Sequence, residues 1–194
     1  MNKNLYIIAG CNGAGKTTAS FTVLPQMLEC KEFINADEIA RGLSPFQPEK
    51  VAIEAGKLML KRIDDLLQQG VSFAFETTLA TKIYKQKILL AKTIGYKITL
   101  VFFWLRSAEL AKNRVKIRVA AGGHNIENEV IERRYISGIR NLFDIYLPVA
   151  DEVFIFDNSD STQEIIARQD INKNITVIDE VKYQKIKEEY YGSK

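Results

Sequence analysis

Gly10-Cys11-Asn12-Gly13-Ala14-Gly15-Lys16-Thr17 is the stretch that decides the fold of this chain. It has the pattern G-x-x-x-x-G-K-[ST] and lies between a short apolar run, residues 5–9, and a helix-forming segment. A strand before this pattern and a helix after it are typical of a loop that binds phosphates. Glycines let the backbone approach an anion closely and present several N–H groups to it at one point. We therefore predict a phosphate-binding loop at this position.

The chemistry of such a loop assigns a role to each of its last two residues. Lys16 is expected to reach the β- and γ-phosphates of a nucleotide, and the Thr17 hydroxyl to be a ligand of Mg²⁺. The helix that begins here points its positive end at the anion. The predicted cofactors are therefore ATP or GTP with Mg²⁺. The residues predicted to bind them are Gly10, Asn12, Gly13, Ala14, Gly15, Lys16, Thr17 and Thr18.

Length, charge and cysteine content narrow the class of protein. The 194 residues are enough for one sizeable core, so we predict a single domain over residues 1–194. A formal net charge of +3 is too small to indicate a nucleic-acid partner by itself. The two cysteines do not suggest a disulfide framework, and the longest apolar run, residues 98–105, is far below the roughly 18 residues of a membrane span. We expect a cytoplasmic protein without membrane contact.

Strand-like and helix-like segments alternate along the chain, which predicts a parallel sheet. The predicted strands cover residues 5–9, 32–38, 71–75, 97–105 and 153–156. The first helix is expected to end or kink at Pro25, because proline removes an interior hydrogen bond. Further helices are expected at residues 48–70, at residues 108–120 and at residues 128–146, and another is expected to follow Thr78 and to end at about residue 94. The tail is expected to hold strands at residues 164–168 and 175–178 and a helix from residue 181.

The predicted fold is an α/β three-layer sandwich of the P-loop NTPase type, with a mostly parallel sheet, helices on both faces and a helical lid. In such sheets, ligands bind beyond the carboxyl ends of the strands. That rule brings the phosphate loop, Asp37, Glu76 and the segment after Leu105 to one edge of the sheet, although they are far apart in sequence.

The positions of acidic residues favour a small-molecule kinase over other users of a phosphate loop. A GTPase would be expected to carry an Asn-Lys-x-Asp motif, and the sequence has none. A transporter-type or mechanical ATPase would usually show an apolar strand ending in an acid, whereas the most apolar strand here ends in Trp104-Leu105-Arg106. Acidic residues instead follow the strands that end at Asn35 and Phe75.

Asp37 is the predicted catalytic base, since a kinase needs a carboxylate to accept the proton of the attacking hydroxyl. The alternative is that Asp37 caps the helix after it. Glu76 is predicted to bind the acceptor, with a Mg²⁺-bound water or a nearby cation as alternative partners. Thr77 and Thr78 are expected either to hydrogen-bond the acceptor or to cap the next helix.

Arginines that stabilise the charge of the transferring phosphoryl group are predicted in residues 106–140. This region holds eight basic and four acidic residues and is interrupted by Gly122-Gly123, which is typical of a hinged lid. The catalytic candidates are Arg118 before the hinge and Arg133 or Arg134 after it, and a solvated charged surface is the alternative. His124, in the hinge, is expected to contact the acceptor or solvent and not to act as the base.

Five segments in this order resemble the zeta toxin family of P-loop kinases. They are residues 10–18, Asn35 to Ala40, Phe75-Glu76-Thr77-Thr78, Arg118 through Gly122-Gly123-His124 to Tyr135, and Ala150 to Ser159. Members studied as toxins phosphorylate UDP-N-acetylglucosamine with ATP or GTP and are neutralised by an epsilon-type antitoxin.

The resemblance implies a role for each group of residues. Lys16 and Thr17 would bind phosphates and Mg²⁺, Asp37 would be the base, Glu76 would position the sugar, and Arg118 with Arg133 or Arg134 would clamp the phosphates. The implied function is a kinase for a nucleotide sugar, with an antitoxin as partner. A regulatory ATPase acting on a protein and a polynucleotide kinase are the alternatives that the sequence leaves open.

Overall fold

The chain folds around a seven-stranded sheet in the order β2-β3-β1-β4-β5-β6-β7. The computed structural model describes residues 3–27, 30–123 and 125–192. The strands are β1 (Lys3–Gly10), β2 (Phe33–Ile34), β3 (Phe73–Thr77), β4 (Tyr96–Trp104), β5 (Glu152–Asp157), β6 (Glu164–Gln169) and β7 (Ile175–Val177). The helices are α1 (Lys16–Met27), α2 (Ala36–Leu43), α3 (Ala52–Gln69), α4 (Tyr84–Thr93), α5 (Ala108–Ala120), α6 (Asn128–Asn141), α7 (Leu147–Val149) and α8 (Glu180–Gly192).

Strand β1 occupies the centre of the sheet and carries the phosphate loop at its carboxyl end. It pairs in parallel with β3 and β4, so that Ile7 lies opposite both Phe75 and Leu100. Residues 5–10 of β1 are all buried, as expected of a parallel strand that has helices on both faces. Strands β1 to β5 pair in parallel and only β6 and β7 are antiparallel, which confirms the predicted mostly parallel α/β sheet.

Two helices differ in detail from the sequence prediction. Helix α1 continues through Pro25 to Met27, so of the two predicted effects of this proline, an end or a kink, the end is wrong. Proline removes a single N–H donor, and the helical hydrogen bonds of the neighbouring residues remain. The long helix after Pro48 begins as a short 3-10 turn (Pro48–Val51) before α3, and Gly70 ends α3 in the left-handed conformation.

The tail extends the sheet and packs a helix on it. Strands β6 and β7 and helix α8 lie where the sequence predicts them, and Tyr183 and Ile186 of α8 are buried. Both cysteines are free and buried, in agreement with the expected lack of a disulfide. None of the helices in the described ranges has the length and apolar character that crossing a membrane requires.

Candidate active site

The phosphate loop lies at the carboxyl edge of the sheet and requires its glycines for steric reasons. Gly10 has a φ of 144°, and a Cβ atom there would lie 2.4 Å from the carbonyl oxygen of Phe103 on β4. Gly15 has a φ of 77°, and a Cβ atom would lie 2.5 Å from Nδ2 of Asn158. A side chain at either position would be strained in its backbone and would also collide with a neighbour. Phe103 and Asn158, which lie outside the motif, therefore leave room only for glycine at these two positions of the loop.

Asn158 and Arg114 hold the loop from the side of β5 and α5. Asn158 donates from Nδ2 to the carbonyl oxygen of Ala14 at 2.7 Å. Arg114 donates to the carbonyl oxygens of Asn158 and Ser159, each at 2.7 Å. Neither Arg114 nor Asn158 is among the predicted site residues. Asn158 follows a strand end at the same edge of the sheet as the loop, and Arg114 lies four residues before Arg118 on the same helix.

Lys16 and Thr17 meet Glu76 in a network at the base of the loop. The Lys16 ammonium lies 3.4 Å from Oε1 of Glu76 and donates to the carbonyl oxygen of Cys11 at 2.9 Å. Thr17 donates from Oγ1 to Oε2 of Glu76 at 2.8 Å, and Asn35 donates from Nδ2 to the same oxygen at 2.9 Å. Glu76 therefore pairs with the loop itself, which is one of the alternatives that the sequence leaves open.

Burial shapes the electrostatics of this network. The side chains of Lys16 and Glu76 are only 7% and 9% exposed, so their attraction is poorly screened by water. Burial also raises the pKa of the Cys11 thiol to about 11, against the lowering influence of Lys16 and Arg114. Cys11 is therefore a neutral thiol at physiological pH and contributes no charge to the phosphate loop.

Asp37 lies in the first turn of α2 and is not the residue that caps this helix. The cap of α2 is Asn35, whose Oδ1 accepts the backbone N–H of Asp37 at 2.8 Å. The alternative that Asp37 caps this helix is therefore wrong. Asp37 instead borders three neighbouring cavities: one along the phosphate loop, and two others on the side of α6.

The cavity along the loop, here called the donor cavity, has a volume of about 220 Å³. The predicted residues Asn12, Gly13, Gly15, Lys16, Thr17 and Thr18 line it, together with Asp37, Glu76, Arg114 and Arg118. Among these, Thr18 is exposed at the cavity mouth. Of the predicted nucleotide-binding residues, the backbone of Gly10 and Ala14 shapes the loop without lining the cavity.

The two neighbouring arginines of α6, Arg133 and Arg134, lie in different environments. Arg134 donates from Nη1 to Oδ1 of Asn12 at 3.1 Å and lines both cavities on the α6 side. Burial lowers its pKa, and the nearby Asp37 carboxylate opposes that shift. Arg133 is exposed and borders a shallow surface depression with Glu129 and other α6 residues. In this conformation Arg134 lies at the loop and Arg133 does not.

Buried contacts fix the part of α6 that follows Arg134. The Tyr135 hydroxyl lies 2.7 Å from the carbonyl oxygen of Leu105 and 2.9 Å from both carboxylate oxygens of Glu189 on α8. Trp104 donates from Nε1 to the same carboxylate at 3.0 Å. Burial raises the pKa of Glu189 and, together with the Glu189 charge, that of Tyr135. The C-terminal helix thereby anchors the residue next to Arg134.

A close backbone approach makes the second anchor of α6. A Cβ atom on Gly138 would lie 2.7 Å from the carbonyl oxygen of Thr78, so glycine lets the helix pack directly on the turn after β3. One helical turn later, Asn141 donates to the carbonyl oxygen of Leu79 at 2.6 Å. The predicted lid, residues 106–140, is therefore firmly attached at its C-terminal end.

The two cavities on the α6 side differ in character. The first, here called the polar cavity, has a volume of about 200 Å³ and is lined by the hydroxyl-bearing residues Thr77, Thr78, Thr81 and Tyr84. Thr77 and Thr78 accept the backbone N–H groups of Leu79 and Ala80, and α4 begins only at Tyr84. These threonines therefore stabilise a turn and do not cap a helix.

The second cavity, here called the groove, has a volume of about 320 Å³ and lies between α2, α3 and the start of α6. Its lining includes Ala40, Pro48, Ile126 and Val130 as well as charged residues.

His124, predicted to contact the acceptor, lies outside the described residues. Arg106 and Arg140 are both exposed, and Arg106 pairs with Asp160 at 2.9 Å.

The donor set at the loop fits Mg²⁺. Hydroxyl and carboxylate oxygens are the protein ligands that Mg²⁺ accepts beside phosphate oxygens and water, and Thr17 and Glu76 present such oxygens 2.8 Å apart. Among the described residues, no group of three or more His, Cys, Asp or Glu side chains is placed to hold a metal ion. A cation here would therefore need the nucleotide phosphates as further ligands.

Comparison with solved structures shows that this chain shares its P-loop α/β fold with known proteins. A chain of the AvrRxo1-ORF1:AvrRxo1-ORF2 complex, solved with sulphate ions, superposes with a TM-score of 0.77 at 18% identity, over 95% of this chain and 63% of that chain. A chain from the PezAT chromosomal toxin-antitoxin system of Streptococcus pneumoniae gives a TM-score of 0.67 at 17% identity, over 98% of this chain and 79% of that chain.

Sequence comparison identifies the family. The family model described as Zeta toxin matches residues 1–171, and the chain belongs to the zeta toxin family. An uncharacterized protein of Haemophilus influenzae is 29% identical over 136 residues, which are 70% of this chain and 94% of that relative. Because the chain spans only 63% of the length of the AvrRxo1 chain that it matches, the resemblance to that structure is one of fold.

Proposed function

We propose that this protein is a kinase that transfers the γ-phosphoryl group of ATP or GTP to a hydroxyl group of a small molecule. The observation that carries the proposal is the position of Asp37, which borders the donor cavity and both cavities on the α6 side. A catalytic base must reach the acceptor hydroxyl and lie near the γ-phosphate at the same time. Family membership and the P-loop kinase fold support the same class of reaction.

In the proposed reaction the acceptor oxygen attacks the γ-phosphorus. The bond from that phosphorus to the oxygen bridging the β- and γ-phosphates breaks, ADP or GDP leaves, and the hydroxyl proton passes to the Asp37 carboxylate. Lys16 and Arg118, on the wall of the donor cavity, and Arg134, hydrogen-bonded to the loop, bring positive charge to the phosphoryl oxygens. Mg²⁺ held by Thr17 would neutralise further phosphate charge when bound.

Asp37→Asn tests the assignment of the base. The substitution keeps the size of the side chain and removes its ability to accept a proton, so we expect transfer to fall by about 10²- to 10⁴-fold while nucleotide affinity changes little. Transfer is measured by mass spectrometry of the phosphorylated product, and affinity by calorimetry with a nonhydrolysable ATP analogue. Glu38→Gln, at the exposed neighbouring position, is the matched control. Normal turnover in Asp37→Asn would show that another group is the base.

The acceptor suggested by the family resemblance is a nucleotide sugar such as UDP-N-acetylglucosamine. Incubation with Mg-ATP and this compound should give a phosphorylated sugar nucleotide if it is the acceptor. ATP hydrolysis that a protein partner stimulates, with no phosphorylated acceptor, would instead favour a regulatory ATPase. Binding to single-stranded nucleic acid that weakens with salt would favour a polynucleotide kinase.

An antitoxin is the proposed protein partner. Two of the similar structures come from the AvrRxo1-ORF1:AvrRxo1-ORF2 complex and from a toxin-antitoxin system, respectively. If this chain is controlled in the same manner, expression of the active protein alone should slow bacterial growth. The Asp37→Asn variant should not. Equal growth with both proteins would contradict a toxic role without contradicting kinase activity.

A further inference from the structure

Asn158 touches the phosphate loop without lining the donor cavity. Its Nδ2 donates to the carbonyl oxygen of Ala14 at 2.7 Å and lies 2.5 Å from the point that a Cβ atom on Gly15 would occupy. Gly15 lines the donor cavity, whereas Asn158 is not among the described residues that do so. The Asn158 side chain therefore acts on the peptide group that joins Ala14 to Gly15, and not directly on a ligand in the cavity.

The backbone around Asn158 is held from two sides. The Asn158 N–H donates to the carbonyl oxygen of Trp104 at 3.0 Å, and the Asn158 carbonyl oxygen accepts from Arg114 at 2.7 Å. The next residue, Ser159, is only 5% exposed, and its hydroxyl accepts the backbone N–H of Arg106 at 2.8 Å. Because these contacts hold the main chain, the segment presents the Asn158 amide to the loop at a fixed place and does not need that amide for its own position.

The hydrogen bond from Asn158 fixes the direction of a donor at the other end of the same peptide group. In a trans peptide the C=O and N–H groups point in opposite directions, and the bond between Ala14 and Gly15 is trans. Since the Ala14 carbonyl points to Asn158, the Gly15 N–H points away from Asn158. Gly15 has a φ of 77°, a conformation in which glycine readily allows a peptide group to take either orientation.

We propose that Asn158 is a positioning residue, which turns the Gly15 N–H toward the phosphates of the bound nucleotide. The inference rests on the proposed kinase function, because it takes the donor cavity as the nucleotide site. Without the Asn158 amide, the freedom of glycine lets the peptide group rotate, so that the Ala14 carbonyl oxygen faces the phosphates. Exchange of an N–H donor for a carbonyl oxygen weakens phosphate binding, since a phosphate loop holds its anion with backbone donors.

Nuclear magnetic resonance can observe both ends of this peptide group at once. With isotope labels at alanine carbonyl carbons and glycine nitrogens, a correlation spectrum shows signals only where alanine precedes glycine. The chain has four such pairs, at residues 9–10, 14–15, 55–56 and 121–122. In the unaltered protein, saturation with inorganic pyrophosphate should move the Gly15 amide proton downfield, because the amide gains a charged acceptor. The pair at 55–56 lies inside α3 and is the internal reference.

Asn158→Leu removes the amide donor and keeps the approximate size and the neutrality of the side chain. We expect the Ala14 carbonyl signal to move upfield and the Gly15 response to saturating pyrophosphate to fall by about half or more. The Kd for ADP, measured by calorimetry, should rise about tenfold, as expected when one hydrogen bond to a charged group is lost. Asn158→Ala should change all three quantities in the same direction, and Tm is recorded for each variant.

Ser159→Ala is the matched control. It removes the contact with the Arg106 N–H from the same segment and leaves the Asn158 amide in place. A reduced Gly15 response in both Asn158 variants, and not in Ser159→Ala, supports the proposal. A side chain that merely held the segment together would leave that response unchanged once pyrophosphate fills the site.

The contrary outcomes separate this inference from the proposed function. An unchanged Gly15 response in the Asn158 variants, or an equal loss in Ser159→Ala, would overturn the positioning role and leave the kinase function intact. ADP binding by the unaltered protein without any Gly15 response to pyrophosphate would likewise overturn only the positioning role. Failure of the unaltered protein to bind ADP would overturn both.

Discussion

The donor and acceptor sides of this site are built in different ways. On the donor side, six of the ten residues that line the cavity belong to one loop, between Asn12 and Thr18. On the acceptor side, the groove and the polar cavity take their walls from α2, α3, α6 and the turn after β3. The donor side therefore follows from a local motif, whereas the acceptor side depends on how distant helices pack. Changes in those helices can alter the acceptor without disturbing nucleotide binding.

Lys16→Met should act mainly on the donor side of the site, and its effect should be larger than those of the substitutions at Arg134 and Asp157. The substitution keeps much of the side-chain volume and removes the positive charge from the donor cavity, so we expect transfer to fall by about 10²- to 10³-fold and nucleotide affinity to fall with it. Lys16 also lines the polar cavity, so acceptor binding, measured by calorimetry in the absence of nucleotide, should weaken too, but by less than nucleotide affinity. Because Glu76 loses its cation, thermal unfolding must be recorded alongside.

The control for this substitution is Lys112→Met, on α5. Lys112 pairs with Glu132 at 2.8 Å on the outer surface of the helices, and exposed ion pairs contribute little. Equal nucleotide affinity in Lys16→Met and in the unaltered protein would contradict the assignment of the donor side to the loop.

Arg134→Gln and Arg133→Gln form a matched pair that tests the boundary between the two sides. Arg134 contacts the loop through Asn12 and faces the acceptor cavities, so its loss should lower kcat by about 10- to 10²-fold. Arg133 is exposed and lies away from the loop, and its substitution should change kcat by less than about twofold. Steady-state kinetics with the identified acceptor measures both. The reverse order would mean that α6 turns during catalysis and exchanges the two arginines.

The donor side was largely predictable from the sequence for a physical reason. The glycine pattern has its meaning within one turn of chain, and the rule that ligands bind at strand ends places Asp37 and Glu76 near it without further information. The tail strands and α8 also lie close to their predicted positions. Pro25 was misleading as a sign of a helix end, because proline removes only one N–H donor and the surrounding residues of α1 keep their helical conformation.

The features of the site that the sequence did not predict depend on tertiary contacts, which no local pattern encodes. The choice of Arg134 over Arg133 follows from the anchors of α6, among them the hydroxyl of Tyr135 and the approach of Gly138 to the Thr78 carbonyl. The partnership of Asn158 with Ala14 joins residues 144 positions apart. The contact of Asn35 with Glu76 needed the pairing of β2 with β3.

Asp157→Asn should show the smallest effect, and it should fall on stability. Asp157 ends β5 next to the loop-bracing Asn158, where its carboxylate contacts the Lys182 ammonium of α8 at 3.0 Å and accepts the Ser159 N–H at 2.8 Å. Burial by itself would raise the pKa of Asp157, but the hydrogen bonds from Ser159 and Lys182 outweigh it and the pKa is lowered. The ionised form therefore stabilises the folded chain above the unfolded pKa of about 3.9, and this contribution is lost as the pH falls through the folded pKa.

Asparagine at position 157 keeps an acceptor for the Ser159 N–H and removes the charge that faces Lys182. We expect Tm at pH 7 to fall by about 2–4 °C, which corresponds to about 1 kcal/mol for a chain of this size. The difference from the unaltered protein should shrink as the pH is lowered below about 4 and should vanish below the lowered pKa of folded Asp157, where both side chains are neutral. Asp160→Asn, at an exposed position, should leave Tm nearly unchanged. A Tm difference that stays constant between pH 7 and pH 3 would mean that packing, and not the charge of Asp157 opposite Lys182, holds α8 at the end of β5.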